Sequence, residues 1–434
     1  MASEEVSNES RAKEDAPPPS GSPIIAIGRS LLVGDRRWCV VLSIAAVCVL
    51  SLFLRIAGIS SRPYHGDEVY NIKIVRETLR VRQSDMLGSE KEGPVPVLSV
   101  PLMAYEHPLL SVYLTRLGVA ACGWNAFGYR IMHVLLGVAT GAALYGLARI
   151  AFGHSVGLLA MFLLCINRFH IGFSRVAIQQ SDFMFFVVVA AWMFMKAMRE
   201  NSGRWMLAAG VATGVAYITK EESALLLPVF FLFLLLSKNH RHWFARKELY
   251  YAFGIMLAIS SVDIFRLTRA SVDMNLAYYA EGVMSTHVSL CPVKFFLGEL
   301  FPKSPDALPE GFAIWSMKCE YQHITMHFVT GILCLLGIAY SIPAWRNDLV
   351  RFLLIMFFVV FGFFMFGFTL AECVNPFWHA ELCLFPALIL AARMLVKLIE
   401  RTPRFGGVAV GALLCYLAVK TVMFCSLETG PFWL

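Results

Sequence analysis

The chain has 434 residues, of which 58% are hydrophobic and 15% charged, with a net charge of +7. Water-soluble domains carry about 25% charged residues, so this balance argues against a soluble globular enzyme. Its Lys and Arg fall in short loops between apolar runs rather than on one basic face, which argues against nucleic-acid binding.

Residues 1–37 open the chain with a polar, Ser- and Pro-rich stretch that reads as a disordered tail. No apolar core lies close to Met1, so the start is not a cleavable signal. Apolar windows of membrane-span length then recur over residues 38–426. The predicted spans are 40–57, 127–148, 156–171, 183–198, 205–218, 225–236, 250–265, 324–342, 349–370, 380–396 and 408–425. The expected fold class is therefore an all-α polytopic membrane protein of about 11 transmembrane helices. Two connections are long, 59–126 and 269–322, and a short tail, 427–434, follows the last span. The 11 cysteines lie mostly in apolar spans and form no CxxC pair. Cys291 and Cys319 share the second long loop, where a disulfide would require an oxidising compartment.

Loop charge sets the expected orientation. With the N-terminus cytoplasmic, the inner loops carry thirteen Lys and Arg and the short outer loops carry three, Arg168, Arg175 and Lys220. Both long loops then face outward. A cation on the disfavoured side is either a snorkelling side chain or one kept for a partner. Arg168 fits either reading, whereas Arg175 in SRVAIQQSD and Lys220 in ITKEES sit in denser polar settings that favour function.

The first outer loop begins RPYHGDEVYNI, with Asp67 and Glu68 adjacent just beyond a span. Carboxylates there suit a helix N-terminus, and Gly66 supplies the turn. Val69, Ile72, Val75 and Leu79 recur at helical spacing opposite Lys73, Arg76 and Arg80, the pattern of an interfacial helix with its apolar side down. A second interfacial segment starts at His107, after a Pro/Gly-rich connector. A carboxylate at the bilayer edge can act as general base, and Arg175 and Lys220 on the same side can hold a lipid-linked phosphate.

The same residues carry a family resemblance, given by an ordered series. HGDEVY (65–70), EHPLLSVYL (106–114), YRIMHVLLGVATGAALYGLARIAFG (129–153), HIGFSRVAIQQSDFMFFV (170–187), GVATGVAYITKEESALLLP (210–228) and NPFWHAELCLFPALILAAR (375–393) resemble, in that order, segments of GT-C glycosyltransferases. The type is that of protein O-mannosyltransferases and aminoarabinose transferases. HPLL departs from the family's His-Pro-Pro-Leu, and the modest loop 269–322 and the chain's end at its last span suggest a compact prokaryotic member.

The resemblance implies a GT-C-type bundle that moves a sugar, with inversion, from a polyprenyl-phosphate donor to an extracytoplasmic acceptor in a plasma or inner membrane. It makes Asp67 the general base or the acceptor-orienting carboxylate, with Glu68 supporting the catalytic geometry. Arg175, Lys220 and His379 become donor-phosphate residues, supported by His107, Asp182 orienting Arg175, and Arg130. For Arg130 a helix-end cation is an equal alternative. No metal or other cofactor is expected to be required, although Asp67 and Glu68 could hold a divalent ion incidentally. The rival reading is a transporter or flippase of a lipid-linked substrate, which would place charges along a mid-membrane path. The intramembrane acid Asp263, with Arg266 one turn on, lies instead close to the outer face.

A reporter fused after Lys247 is expected on the cytoplasmic side and one near Ser304 on the external side; activity measured at both sites in cells checks the orientation. The reverse pattern would overturn the placement of the acidic pair.

Overall fold

The computed structural model describes residues 23–61, 68–69, 71–72, 74–75, 110–280, 284–285, 296, 327–366, 369–370 and 381–426. The chain divides into two units, Met1–Ala46 and Val47–Leu434, and the contacts below lie within the second. The described residues are almost wholly helical. In order they are α1 (Pro23–Ile56), α2 (Leu110–Cys122), α3 (Ala126–Cys165), α4 (Arg168–Ser174), α5 (Gln179–Glu200) and α6 (Gly203–Tyr217). Then follow α7 (Leu226–Leu236), α8 (Lys247–Ala280), α9 (Phe328–Ser341), α10 (Asp348–Phe366), α11 (Leu384–Arg401) and α12 (Pro403–Ser426). Tight 3₁₀ turns precede and follow α7 at Glu221–Leu225 and Lys238–Ala245. A two-residue antiparallel pair, Met284–Ser285 (β1) with Thr369–Leu370 (β2), links the stretch after α8 to the stretch after α10.

Each of the eleven apolar windows falls on a described helix. By length and apolarity, however, six helices among the described residues can cross a membrane, or seven if the bent pair around α7 is one span. Two windows, 127–148 and 156–171, meet in the single 40-residue α3, which breaks at Gly153 with φ 82°. That left-handed backbone suits glycine, which has no Cβ to clash. The start of α3 is fixed by Asn125, whose side chain accepts the Gly128 N–H at 2.9 Å. Asn201, left-handed at φ 47°, closes α5 and turns the chain into α6.

Packing follows the small residues. A Cβ on Gly210 would sit 2.3 Å from the Ala252 carbonyl oxygen, and one on Gly214 would lie 2.9 Å from the Ile259 Cβ. The GVATG stretch is thus the seam along which α6 meets α8 at backbone distance, the close approach that small residues give in apolar surroundings. Deeper in the bundle, Phe194 stacks on Phe230 with centroids 4.1 Å apart, and Phe233 and Phe352 pack edge-on and tilted around them. Dispersion across these faces holds α5, α7 and α10 together.

Ile72 and Val75 of the first outer loop are buried as their spacing predicts, but Val69 on the same stripe is 51% exposed. Ile72 packs with Val119, Tyr129 and Ala177, and Val75 with Ile74 and Val112. Ile72 and Val75 therefore face protein, on α2 and α3 and the link after α4.

Gly210→Val should separate α6 from α8 and destabilise the protein by about 1–3 kcal/mol. Thermal melting in detergent against Gly254→Val, where a Cβ meets nothing within 4 Å, checks it.

Candidate functional site

α1 ends inside a ring of arginines. The last carbonyls of a helix have no intrahelical donors and carry the negative end of its dipole, so cations gather there. Arg175, just after α4, donates through Nη2 to the Ala57 carbonyl. Arg130, in the first turn of α3, donates through Nη1 to the Ile59 carbonyl at 2.5 Å. Arg55 bonds the Ser51 hydroxyl at 2.6 Å and His170 Nδ1 at 2.8 Å. A guanidinium only donates, so His170 Nδ1 is the acceptor and its proton sits on Nε2.

Glu68 is joined to Arg130 by a two-pronged bond, Nε to Oε1 and Nη2 to Oε2, both 2.6 Å. Both side chains are fully buried. Glu68 Oε1 also accepts the Ala177 N–H at 3.0 Å, while Asn71 Nδ2 donates to the Ala177 carbonyl at 2.9 Å. Both backbone groups of Ala177 are thus held by the segment that follows Asp67. The acidic-pair segment is thereby clipped onto 175–178, two residues from Arg175. Both carboxylate oxygens of Glu68 are thus engaged, and Arg130 is their partner.

Asp182 departs from its expected role. It does not orient Arg175: its Oδ1 is 2.9 Å from His133 Nδ1, and His133 Nε2 is 2.9 Å from Thr115 Oγ1. A carboxylate accepts, so the proton on His133 Nδ1 is donated to Asp182. All three side chains are buried, and the chain of bonds ties α2, α3 and α5 together.

Lys220 caps the 3₁₀ turn before α7 and is 3% exposed. Its Nζ lies 3.2 Å from Glu222 Oε1 and 3.3 Å from Glu381 Oε1, and 5.2 Å from the ring centre of Phe183. Burial acts to lower the Lys220 pKa, but Glu222, Glu381 and Glu221 reverse that and hold it above its ordinary value, so the ammonium stays charged. The Leu110 N–H, at the start of α2, bonds the Ile218 carbonyl at 3.1 Å, two residues before Lys220. The second interfacial segment is therefore latched to the Lys220 turn.

Asp67, His107 and His379 lie outside the described residues, as do Cys291 and Cys319. Asp263 is buried on α8. Among the described residues no group of three or more His, Cys, Asp or Glu is arranged to hold a metal. Among the residues that escaped the sequence reading, two carried a signal. Glu381 is an acid at the head of an apolar run, and His133 a lone imidazole within one; an ionisable group inside a span is itself the signal that could have flagged both.

Over 90% of its length the chain superposes on ArnT from Cupriavidus metallidurans in the apo state, with a TM-score of 0.59 and 19% identity, covering 66% of that chain. The same enzyme bound to undecaprenyl phosphate gives 0.55 at 17% identity, covering 89% and 70% of the two chains. The archaeal oligosaccharyltransferase AglB from Archaeoglobus fulgidus, in complex with an inhibitory peptide and a dolichol-phosphate, gives 0.55 at 12%, covering 90% and 55%. The fold is that of the GT-C glycosyltransferases. Residues 106–266 match the sequence family described as dolichyl-phosphate-mannose-protein mannosyltransferase.

Among curated proteins the chain is 30% identical over 161 residues to an uncharacterized protein of Aquifex aeolicus and 26% identical over 135 residues to YkcB of Bacillus subtilis. These alignments cover 36% and 31% of this chain, but only 31% and 19% of the respective relatives.

Removing one partner of the Glu68–Arg130 pair, as in Arg130→Met, leaves a buried charge alone and should cost about 3–5 kcal/mol. Glu68→Gln with Arg130→Met together should recover much of that loss. A double-mutant cycle on thermal stability measures the coupling.

Proposed function

We propose that this chain is a membrane-embedded glycosyltransferase that moves a sugar, with inversion, from a polyprenyl-phosphate donor to an acceptor on the extracytoplasmic face. The observation that carries the reading is the docking of the acidic-pair segment. Glu68 and Asn71 grip Ala177, which brings the residue after Asp67 to the short link that begins at Arg175. A base and a phosphate-binding cation need that juxtaposition. Further support comes from the family match and from the two structural relatives that bind undecaprenyl phosphate and dolichol-phosphate.

In this reading Asp67 removes the proton of the acceptor nucleophile as that nucleophile attacks the anomeric carbon. The bond from that carbon to the phosphate oxygen breaks on the opposite face, and its electron pair leaves with the lipid phosphate. The leaving group is already a good one, so fixed cations in a partly dry site do more than protonation would. Arg175 supplies one such cation, with His379 as a further donor-phosphate residue and His107 in support. Lys220 is shared with Glu222 and Glu381, so a donor phosphate there would add to an existing ion cluster rather than meet a bare cation. Glu68 and Arg130 set the position of Asp67. Asp182 acts through His133 on the packing of α2. The acceptor, whether protein, lipid or cell-wall glycan, would approach from the outer face.

Asp67→Asn should lower sugar transfer from a radiolabelled polyprenyl-phosphate donor about 10²–10⁴-fold without changing the melting temperature. Arg175→Ala should weaken donor use far more than Arg346→Ala, which alters an exposed residue. Equal effects of the two arginine variants would sink the phosphate assignment. Absence of turnover with every donor tried would favour a transporter.

A further inference from the structure

Arg116 is the buried cation that none of the roles above uses. It lies on the middle turn of α2 and is 3% exposed, yet among the described residues Nε, Nη1 and Nη2 find no hydrogen-bond partner. Among the described residues its guanidinium lies over the ring of Tyr113, 6.0 Å from the centroid. Thr115, its neighbour, is turned the other way into the His133–Asp182 chain. A guanidinium cannot shed its proton in practice, and an isolated buried charge is costly, so this arrangement calls for an anion.

The surroundings say what kind. Leu117, the next residue, is 50% exposed, and Trp124, just past the end of α2, is 53% exposed. Apolar side chains facing outward with a tryptophan at the helix end mark the level where lipid tails meet headgroups. A planar fork of donors at that level fits two oxygens of one phosphate group.

We propose that Arg116 is the core of a phospholipid-headgroup site, in which the lipid phosphate accepts from the guanidinium and the acyl chains lie along Leu117. The site is separate from the sugar-transfer reading and does not rest on it. Through α2, whose first N–H bonds Ile218, a lipid held there would brace the helix that latches the Lys220 turn.

The test uses the full-length protein, delipidated in detergent, with melting followed as phosphatidylglycerol, diacylglycerol, inorganic phosphate or a polyprenyl monophosphate is added. Phosphatidylglycerol should raise the melting temperature of wild type and leave Arg116→Met unmoved, whereas diacylglycerol and inorganic phosphate should move neither. Without lipid, Arg116→Met should melt no lower than wild type, because an unpaired buried charge has been removed. Native mass spectrometry of Arg116→Lys, which keeps the charge and loses the fork, should find retained phospholipid reduced roughly tenfold. An equal rise in wild type and Arg116→Met, or unchanged retention in Arg116→Lys, overturns the proposal. So does a rise with inorganic phosphate as large as that with phosphatidylglycerol, which would mean a free anion. A rise confined to the polyprenyl monophosphate would assign Arg116 to the carrier and equally overturn it.

Discussion

Where the first long loop meets the bundle, the arrangement depends on one fully buried ion pair, Glu68 with Arg130. Two charges in an apolar bundle are tolerable only when each satisfies the other and the remaining donors and acceptors find partners. Here they do: Arg130 uses a third nitrogen on the Ile59 carbonyl, and Glu68 takes the Ala177 N–H. One pair thereby fastens the exit of α1, the loop after it, the start of α3 and the link into α5. Such a pair adds little net stability compared with apolar packing, but it specifies a single way for these four pieces to meet.

The same logic recurs around it. Thr115, His133 and Asp182 join three helices through two hydrogen bonds, and Lys220 with Glu222 and Glu381 joins the turn before α7 to the head of α11. Arg55 with His170 fixes α1 to α4. Apolar helix faces slide past one another at little cost, because one Leu–Leu contact resembles the next. Paired polar groups at chosen depths remove that freedom, since a slipped register leaves a charge unpartnered. The small-residue seam of Gly210 and Gly214 sets how closely α6 and α8 approach, while the polar pairs set which turn faces which.

The division of labour matters for catalysis by positioning. A general base works only when it is held at the reacting atoms. Glu68 stands beside the expected base and is itself tied to a rigid backbone, which is what a supporting residue should do. Mutations in this buried polar layer should act on geometry before they act on chemistry.

Much of this was legible in the amino-acid order. Long apolar runs can satisfy their backbone in lipid only as helices, so the helical membrane class followed from composition and window length alone. The ordered motifs pointed to the GT-C fold, and Glu68, Arg130, Arg175, Asp182 and Lys220 stood out as charges in an apolar chain. What the order of residues could not carry was pairing across long separations. Arg130 meets Glu68 62 residues away, and Lys220 meets Glu381 161 residues away. Asp182 lies seven positions from Arg175 and was expected to orient it, but chose His133 because α5 turns that face towards α3. Ile72 and Val75 showed the right spacing yet pack on protein, since periodicity defines an apolar stripe without naming what covers it. Local pattern determines which elements form and which residues want burial or a partner; only the folded chain decides which partner each one gets, because that choice depends on the register and depth of helices far apart in sequence.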